Sequence, residues 1–148
     1  MKILVLNGPN LNKLGERDQN QYGILTLAKI ETLMKNEFPN TDFSFLQSNI
    51  EGELIDIIQK ASSNFDGIII NPGGYAHTSV AIKDALADCK LPKIEVHLSH
   101  LANRENFRQI LLTASSCDGY ISGFKESSYI AACYLIINKF DIRDKVNG

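Results

Sequence analysis

The sequence predicts an α/β fold in which a doubly wound parallel sheet carries helices on both of its faces. Short apolar runs, typical of strands that are buried on both sides, recur along the chain. Amphipathic segments alternate with these runs, which indicates βαβ units. The length of 148 residues is that of one domain, so we expect residues 1–148 to form a single unit. Five strands in so short a chain favour the flavodoxin-like arrangement.

Each predicted strand is an apolar run bounded by polar or turn-forming residues. The first run, from Ile3 to Leu6, has no polar residue at all, as expected for a strand that is buried on both faces. The predicted strands cover residues 3–6, 43–46, 68–70, 94–98 and, with a weaker pattern, 119–121.

The predicted helices follow from apolar residues at helical spacing. In the first of them Leu27, Ile30 and Met34 repeat on one face, and Thr26 is suited to cap the N-terminus. The same spacing predicts helices over 26–38, over 52–61, from a cap at Thr78 or Ser79 to about residue 88, and over the apolar stretch 128–140.

Composition excludes several classes of protein. The net charge is −2 and charges of both signs are mixed along the chain, so there is no excess of positive charge to bind nucleic acid or an acidic membrane. We therefore expect neither partner. Cys89, Cys117 and Cys133 form no Cys-x-x-Cys pair, which argues against a disulfide framework and a zinc site, and Cys133 lies in an apolar run typical of a core. No apolar stretch reaches the length of a membrane span or of a signal peptide, so we expect a cytoplasmic protein.

In a doubly wound sheet ligands bind beyond the carboxyl ends of the strands, so the polar residues at those ends are the candidates for function. The first predicted strand is followed by an unusually long aperiodic segment, residues 8–23, which contains Arg17 and Tyr22. The third is followed by Asn71 and a Gly73-Gly74 turn, which lets backbone amides approach a ligand, with His77 just beyond.

The fourth predicted strand contains two polar residues although it should be buried. Glu95 and His97 are two residues apart and therefore lie on one face, where the carboxylate can fix the tautomer of the imidazole. Such a conflict with the hydrophobic pattern tends to mark a functional site. The spacing to His100 is not that of a metal site. Arg104 and Arg108 are four residues apart and would lie on one face of a short helix. We expect Arg104 to be exposed to solvent on a basic face.

Four sequence blocks together resemble type II 3-dehydroquinate dehydratase. They occur in the order of that family, and they cover essentially residues 1–110 and more loosely the rest. The blocks are Asn-Gly-Pro-Asn-Leu-Asn at 7–12 with Leu14, Gly15, Arg17, Tyr22 and Gly23; Gln-Ser-Asn-x-Glu-Gly-Glu-Leu-Ile-Asp at 47–56; Asn-Pro-Gly-Gly-Tyr-x-His-Thr-Ser-Val-Ala at 71–81 with Asp84; and Ile-Glu-Val-His-Leu-Ser at 94–99.

The resemblance implies a catalytic domain that eliminates water in the anti sense from 3-dehydroquinate, through an enolate, to give 3-dehydroshikimate. It implies that Tyr22 is the base, as a tyrosinate favoured by the positive charge of Arg17 on a mobile lid formed by residues 8–23. Asn12 would steady the enolate oxygen through a water, and His97, oriented by Glu95, would protonate the departing hydroxyl. The residues supply the base, acid and enolate stabiliser that such a reaction needs.

The resemblance also implies the substrate contacts and the assembly. No metal and no organic cofactor are expected, and the chain would form trimers, commonly assembled into homododecamers. A role in aromatic amino acid biosynthesis by the shikimate pathway and a role in quinate breakdown both fit. The implied substrate-binding residues are Asn71, His77 and Arg108 for hydroxyl groups, Leu98 and Ser99 for the carboxylate, and Asp84 for the site of a neighbouring subunit.

The chain departs from the family pattern after Ser99, around Gln109 and in the segment 123–129, but no implied catalytic position is lost. Three other hypotheses compete. A flavodoxin-like module for a nucleotide or flavin would need a different loop after the first strand. A phosphoacceptor would need an Asp where Asn71 stands. The third is a protein of dehydroquinase fold that has lost its activity and serves as a binding protein.

Overall fold

The computed structural model of the chain describes residues 1–18, 20 and 24–147, and side chains as far as residue 138. Among these residues five parallel strands form one sheet in the order β2–β1–β3–β4–β5, which confirms the predicted α/β fold. Each observed strand overlaps a predicted one. The strands are β1 (Lys2–Asn7), β2 (Asp42–Gln47), β3 (Gly67–Asn71), β4 (Lys93–His97) and β5 (Gly119–Ser122).

Helices pack on both faces of the sheet, as predicted. The expected caps are present: Thr26 accepts a hydrogen bond from the amide of Lys29, and Ser79 accepts one from the amide of Ile82. The last helix is longer than the predicted 128–140. The helices are α1 (Leu27–Glu37), α2 (Glu51–Ala61), α3 (Val80–Asp88) and α4 (Ser127–Asn147).

The alternation of side chains along β1 divides the core into two layers. Ile3 and Val5 face one layer, which contains residues of α1 and α4, whereas Leu4 and Leu6 face the other, which contains residues of α2 and α3. Cys133 is fully buried in the first layer, as predicted. Both faces of β1 are therefore packed against apolar residues, which explains its continuous hydrophobic run.

The topology places a crevice at the carboxyl ends of β1 and β3. β1 lies between β2 and β3, so the chain winds away from it in both directions, and such a switch point is where open α/β sheets bind ligands. Asn7 and Asn71, the last residues of the two strands, are paired in register. No helix in the described part of the chain is long and apolar enough to cross a membrane.

Candidate active site

A pocket of about 510 Å³, part of it open to solvent, lies beyond the carboxyl ends of β1, β3 and β4. It is lined by two glycine-containing turns and by polar side chains at or after the ends of these three strands. The lining residues are Pro9, Asn10, Leu11, Arg17, Asn71, Gly73, Gly74, His77, His97, Leu98, Ser99, Leu101, Arg104 and Arg108.

The turns after β1 and β3 are packed against each other at the pocket. The amide of Gly8 donates to the carbonyl of Asn71 at 2.7 Å. A Cβ atom on Gly8 would lie 2.5 Å from the carbonyl oxygen of Pro72, so this contact requires glycine. Gly73 has a φ of +59°, in the left-handed region that favours glycine. The pairs Gly8-Pro9 and Pro72-Gly73 thus allow the two backbones to approach each other closely.

Glu95 and His97 form a buried pair at the end of β4. The Nε2 atom of His97 lies 2.7 Å from Oε2 of Glu95, and the two side chains are 6% and 0% exposed. The hydroxyl of Thr113 donates to the other oxygen of Glu95. Because an ionised carboxylate only accepts hydrogen bonds, Nε2 of His97 carries the proton, and its Nδ1 is left for groups in the pocket. The predicted placement on one face is confirmed.

His77 contacts the pocket next to His97, and the two rings are stacked with centroids 6.1 Å apart. Nδ1 of His77 lies 2.7 Å from the carbonyl oxygen of Ile110 and donates to it, whereas Nε2 is buried with no hydrogen-bond partner among the described residues. Burial lowers the pKa of His77 below 6.5, although the hydrogen bond to Ile110 opposes this shift. The imidazole of His77 is therefore neutral, and its Nε2 atom can accept a hydrogen bond from a donor such as a hydroxyl group.

Three arginines add positive charge to the wall of the pocket. Arg17, Arg104 and Arg108 all line it. A guanidinium nitrogen of Arg104 donates to the hydroxyl oxygen of Ser99 at 3.2 Å, and Nε of Arg108 donates to Glu105 at 2.8 Å. The hydrogen bond from its own backbone amide, together with Arg108, lowers the pKa of Glu105. The wall is suited to a small anion that also carries hydroxyl groups.

The interpretation of Arg104 as part of a solvated basic face is wrong. Its side chain is only 8% exposed and belongs to the pocket. Arg104 and Arg108 do not share a helix either, because the segment forms two separate 3-10 turns, Leu101–Asn103 and Asn106–Gln109, with Arg104 between them. Arg104 therefore reaches the pocket from the link between the two turns and Arg108 from the second turn, which spacing alone did not predict.

A family model described as dehydroquinase class II matches residues 1–137. The chain belongs to the class II dehydroquinase family. It is 45% identical to a 3-dehydroquinate dehydratase of Caldanaerobacter subterraneus subsp. tengcongensis over 99% of both chains. It is 51% identical to a 3-dehydroquinate dehydratase of Nitratiruptor sp. over 87% of this chain and 84% of the relative. The crystal structure of type II dehydroquinase from Butyrivibrio crossotus matches with a TM-score of 0.90 at 45% identity, covering 93% of this chain and 98% of that one.

Most of the residues that the resemblance to dehydroquinases implied meet in this pocket. The exceptions are informative. Asn12 is exposed and absent from the lining, whereas Asn10, with a left-handed φ of 68°, lines the pocket. Asp84 is exposed on α3 and is also absent from the lining. Tyr22 lies outside the described residues. The implied residues that line the pocket are Arg17, Asn71, His77, His97, Leu98, Ser99 and Arg108, with Glu95 behind His97.

The predicted dehydroquinase lid, residues 8–23, begins with a fixed portion. Leu11 and Leu14 are 2% and 5% exposed and belong to the core, and the amide of Asn10 donates to the side chain of Asn49 at 3.0 Å. Arg17 follows this anchored portion. The segment is mostly polar and has no hydrophobic periodicity, so the sequence did not predict that Leu11 and Leu14 are buried.

The part of the chain that the structure describes offers no cluster of metal ligands. No group of three or more His, Cys, Asp or Glu side chains there could hold a metal ion. The groups that the pocket does offer are a paired imidazole, a second neutral imidazole, amide groups and guanidinium groups. These suit proton transfer to and from a small hydroxylated acid.

Proposed function

We propose that the chain is a 3-dehydroquinate dehydratase that eliminates water in the anti sense from 3-dehydroquinate, through an enolate, to give 3-dehydroshikimate. The observation that carries the proposal is the buried pair of Glu95 and His97 at the wall of an arginine-lined pocket, in a chain of the class II dehydroquinase family. An imidazole held by a carboxylate, beside a pocket for a small anion, is what an acid-assisted elimination requires.

In this proposal His97 protonates the departing hydroxyl group. Its Nε2–H is committed to Glu95, so the proton that moves is carried on Nδ1 of the imidazolium. The carboxylate of Glu95 stabilises the positive charge and holds the ring in place, while Thr113 holds the carboxylate. Glu95 is therefore a positioning residue.

Tyr22 acts as the base in its ionised form and removes a proton next to the ketone. A free tyrosine has a pKa of about 10, so the phenolate needs a nearby positive charge. Arg17 supports this assignment because it lines the pocket and lies five positions before Tyr22 in the same segment. Movement of the lid would begin after Leu14, whose side chain is held in the core.

For the enolate oxygen we assign Asn10 in place of Asn12. The side chain of Asn12 is exposed outside the pocket, whereas Asn10 is part of its lining. An amide that donates to the enolate oxygen, directly or through a water, stabilises the charge that develops in the transition state. The left-handed backbone at Asn10 supports a functional constraint, because asparagine tolerates this conformation better than most residues.

The remaining polar groups of the pocket bind the substrate. Asn71, His77 and Arg108 contact its hydroxyl groups, with the Nε2 atom of His77 as an acceptor. Leu98 and Ser99 receive the carboxylate. Because the oxygen of Ser99 already accepts from Arg104, its own hydrogen is available to the carboxylate, and Arg104 adds positive charge behind it.

The chain assembles into trimers and further into dodecamers, with Asp84 completing the site of a neighbouring subunit. The exposed position of Asp84 on α3, outside the pocket of its own chain, supports this role. Light scattering on the purified protein measures the assembly, and a monomer with full activity would contradict the contribution of Asp84.

Direct assay of the purified protein tests the proposed reaction. 3-Dehydroquinate is added in the presence of a chelator, and the ultraviolet absorbance of the conjugated enone of the product is followed. We expect the absorbance to rise at a rate that the chelator does not change, because every group assigned to the reaction is a side chain of the protein. No rise with a folded, oligomeric protein would contradict the proposal and favour a binding protein that has lost catalysis.

A further inference from the structure

Tyr129 is a fully buried tyrosine in the first turn of α4, directly beneath the pocket. Its hydroxyl group joins the ends of two strands. The hydroxyl donates to Oδ1 of Asn7 at 2.6 Å and accepts from Nδ2 of Asn71 at 3.0 Å. Asn7 and Asn71 are 4% and 3% exposed, so all three side chains are largely buried. None of these contacts follows from the hydrophobic pattern of the helix.

The direction of each hydrogen bond is determined. Oδ1 of Asn7 can only accept, so the single proton of the Tyr129 hydroxyl points to it. The hydroxyl oxygen must then accept from Asn71, which requires the NH₂ side of that amide to face it. Burial raises the pKa of Tyr129, which keeps this proton in place.

The other side of the Asn71 amide is fixed as well. The backbone amide of Gly73 donates to Oδ1 of Asn71 at 3.2 Å. Both ends of the carboxamide are therefore specified, which leaves one N–H and one lone pair for a ligand in the pocket that Asn71 lines. An amide turned by 180° would present its oxygen to a hydroxyl oxygen and its NH₂ to a backbone N–H.

We propose that Tyr129 is a positioning residue for substrate binding, whose hydroxyl group holds the side-chain amide of Asn71 in the one orientation that meets a hydroxyl group of the substrate. The proposal rests on the proposed function for the identity of the substrate. It assigns a site role to a residue of the core that contacts neither the pocket nor the reacting atoms.

The test is Tyr129→Phe, which keeps the ring and removes only the hydroxyl group. We expect KM for 3-dehydroquinate to rise about tenfold while kcat changes much less, since the Asn71 contact is made in the ground state and the transition state alike. Ile136→Val is the matched control, because Ile136 is equally buried on α4 but lies outside the network. It should lower the melting temperature and leave KM unchanged.

A double-mutant cycle separates positioning from general weakening of the fold. In an Asn71→Ala background, Tyr129→Phe should raise KM no further, because the residue through which it acts is gone. An unchanged KM in the single variant, or an equal rise in KM in both backgrounds, would overturn the proposal. If Tyr129→Phe does not fold, Asn7→Ala removes the acceptor that directs the hydroxyl and should raise KM in the same way; no change there would overturn it.

Failure of the proposed function is a separate result, visible as an inactive wild-type protein. Crystal structures of the wild type and of Tyr129→Phe then decide the positioning role. Displacement of the Asn71 side chain from the amide of Gly73 in the variant supports the role, and an unmoved side chain overturns it.

Discussion

The Nε2 atom of His97 lies 2.7 Å from Oε2 of Glu95, and both side chains are buried on the same face of β4. This contact determines which nitrogen of His97 faces the pocket. Because Nε2 donates to the carboxylate, Nδ1 is the atom that can exchange a proton with a ligand. The acid role that we propose for His97 therefore depends on Glu95, which does not line the pocket.

We predict that His97→Ala lowers kcat by about 10²- to 10⁴-fold, the usual range for loss of a general acid, with a smaller effect on KM. Glu95→Gln should also lower kcat, because an amide no longer stabilises the imidazolium. Steady-state kinetics with 3-dehydroquinate measure both effects. His100→Ala is the matched control, since His100 is exposed and does not line the pocket. A change confined to KM in His97→Ala would rule out the acid role.

The stability of the protein should decrease below about pH 6.5 through His77. Burial lowers the pKa of His77 from 6.5 in the folded state, and His97 and Arg108 add to this shift while Glu95 opposes it. As the pH falls through 6.5, the unfolded chain binds the proton first, so the folded state loses stability until the lower pKa is passed.

His77→Gln removes the titrating group and should therefore abolish this loss of stability at low pH. We expect the wild type to lose more in melting temperature than the variant between about pH 8 and about pH 5. Parallel melting curves over this range would show that His77 does not titrate with a lowered pKa. At pH values where His77 is protonated, KM should rise, since Nε2 no longer accepts a hydrogen bond.

Two glycines should respond to alanine in opposite ways. Gly8→Ala places a Cβ atom 2.5 Å from the carbonyl oxygen of Pro72, so the two turns of the pocket must separate, and we expect a loss of about 1–3 kcal/mol in the free energy of unfolding. Gly52→Ala meets nothing within 4 Å and lies in α2, so it should stabilise by about 0.5–1 kcal/mol. Chemical denaturation measures both. Equal effects would contradict the close approach.

Lys125 connects the turn before α4 to the predicted lid. Its backbone has a φ of 53° although it is not glycine, and its Nζ donates to the backbone carbonyl of Asn20. Lys125→Met keeps most of the aliphatic side chain and removes the ammonium group that donates the hydrogen bond. We expect kcat/KM to fall about 2- to 10-fold, which corresponds to the loss of one hydrogen bond. Lys60→Met, on α2 and exposed, is the control. Unchanged kcat/KM in Lys125→Met would show that the contact does not help to position the segment.

The strands and most of the helices could be predicted because they follow hydrophobic periodicity, and the caps Thr26 and Ser79 mark two helix starts. The pair of Glu95 and His97 was predictable for the same reason, as an exception to that pattern. The contacts that loop residues make with the pocket were not predictable, because they depend on the conformation of the loops. Asn10 and Asn12 are equally polar in the sequence, and it takes the folded chain to show that Asn10, at a left-handed turn, lines the pocket whereas Asn12 does not.

Arg104 and Tyr129 show the same limit. Helical spacing predicts a solvated Arg104, whereas the chain forms two short 3-10 turns on either side of it and the side chain is only 8% exposed. Tyr129 is part of an apolar helix pattern, and its hydroxyl acquires a role only because β1 and β3 end side by side beneath α4. Tertiary structure decides both cases.

Turnover by Tyr22→Phe is the most direct test of the proposed elimination. The substitution removes only the phenolic hydroxyl group, so the fold and the pocket of His97, Arg17 and Asn71 should persist, as circular dichroism and the melting temperature can establish. We predict that 3-dehydroquinate produces an increase in enone absorbance with the wild type and none above the blank with the variant. A variant that is folded and turns over at a rate near that of the wild type would contradict the account.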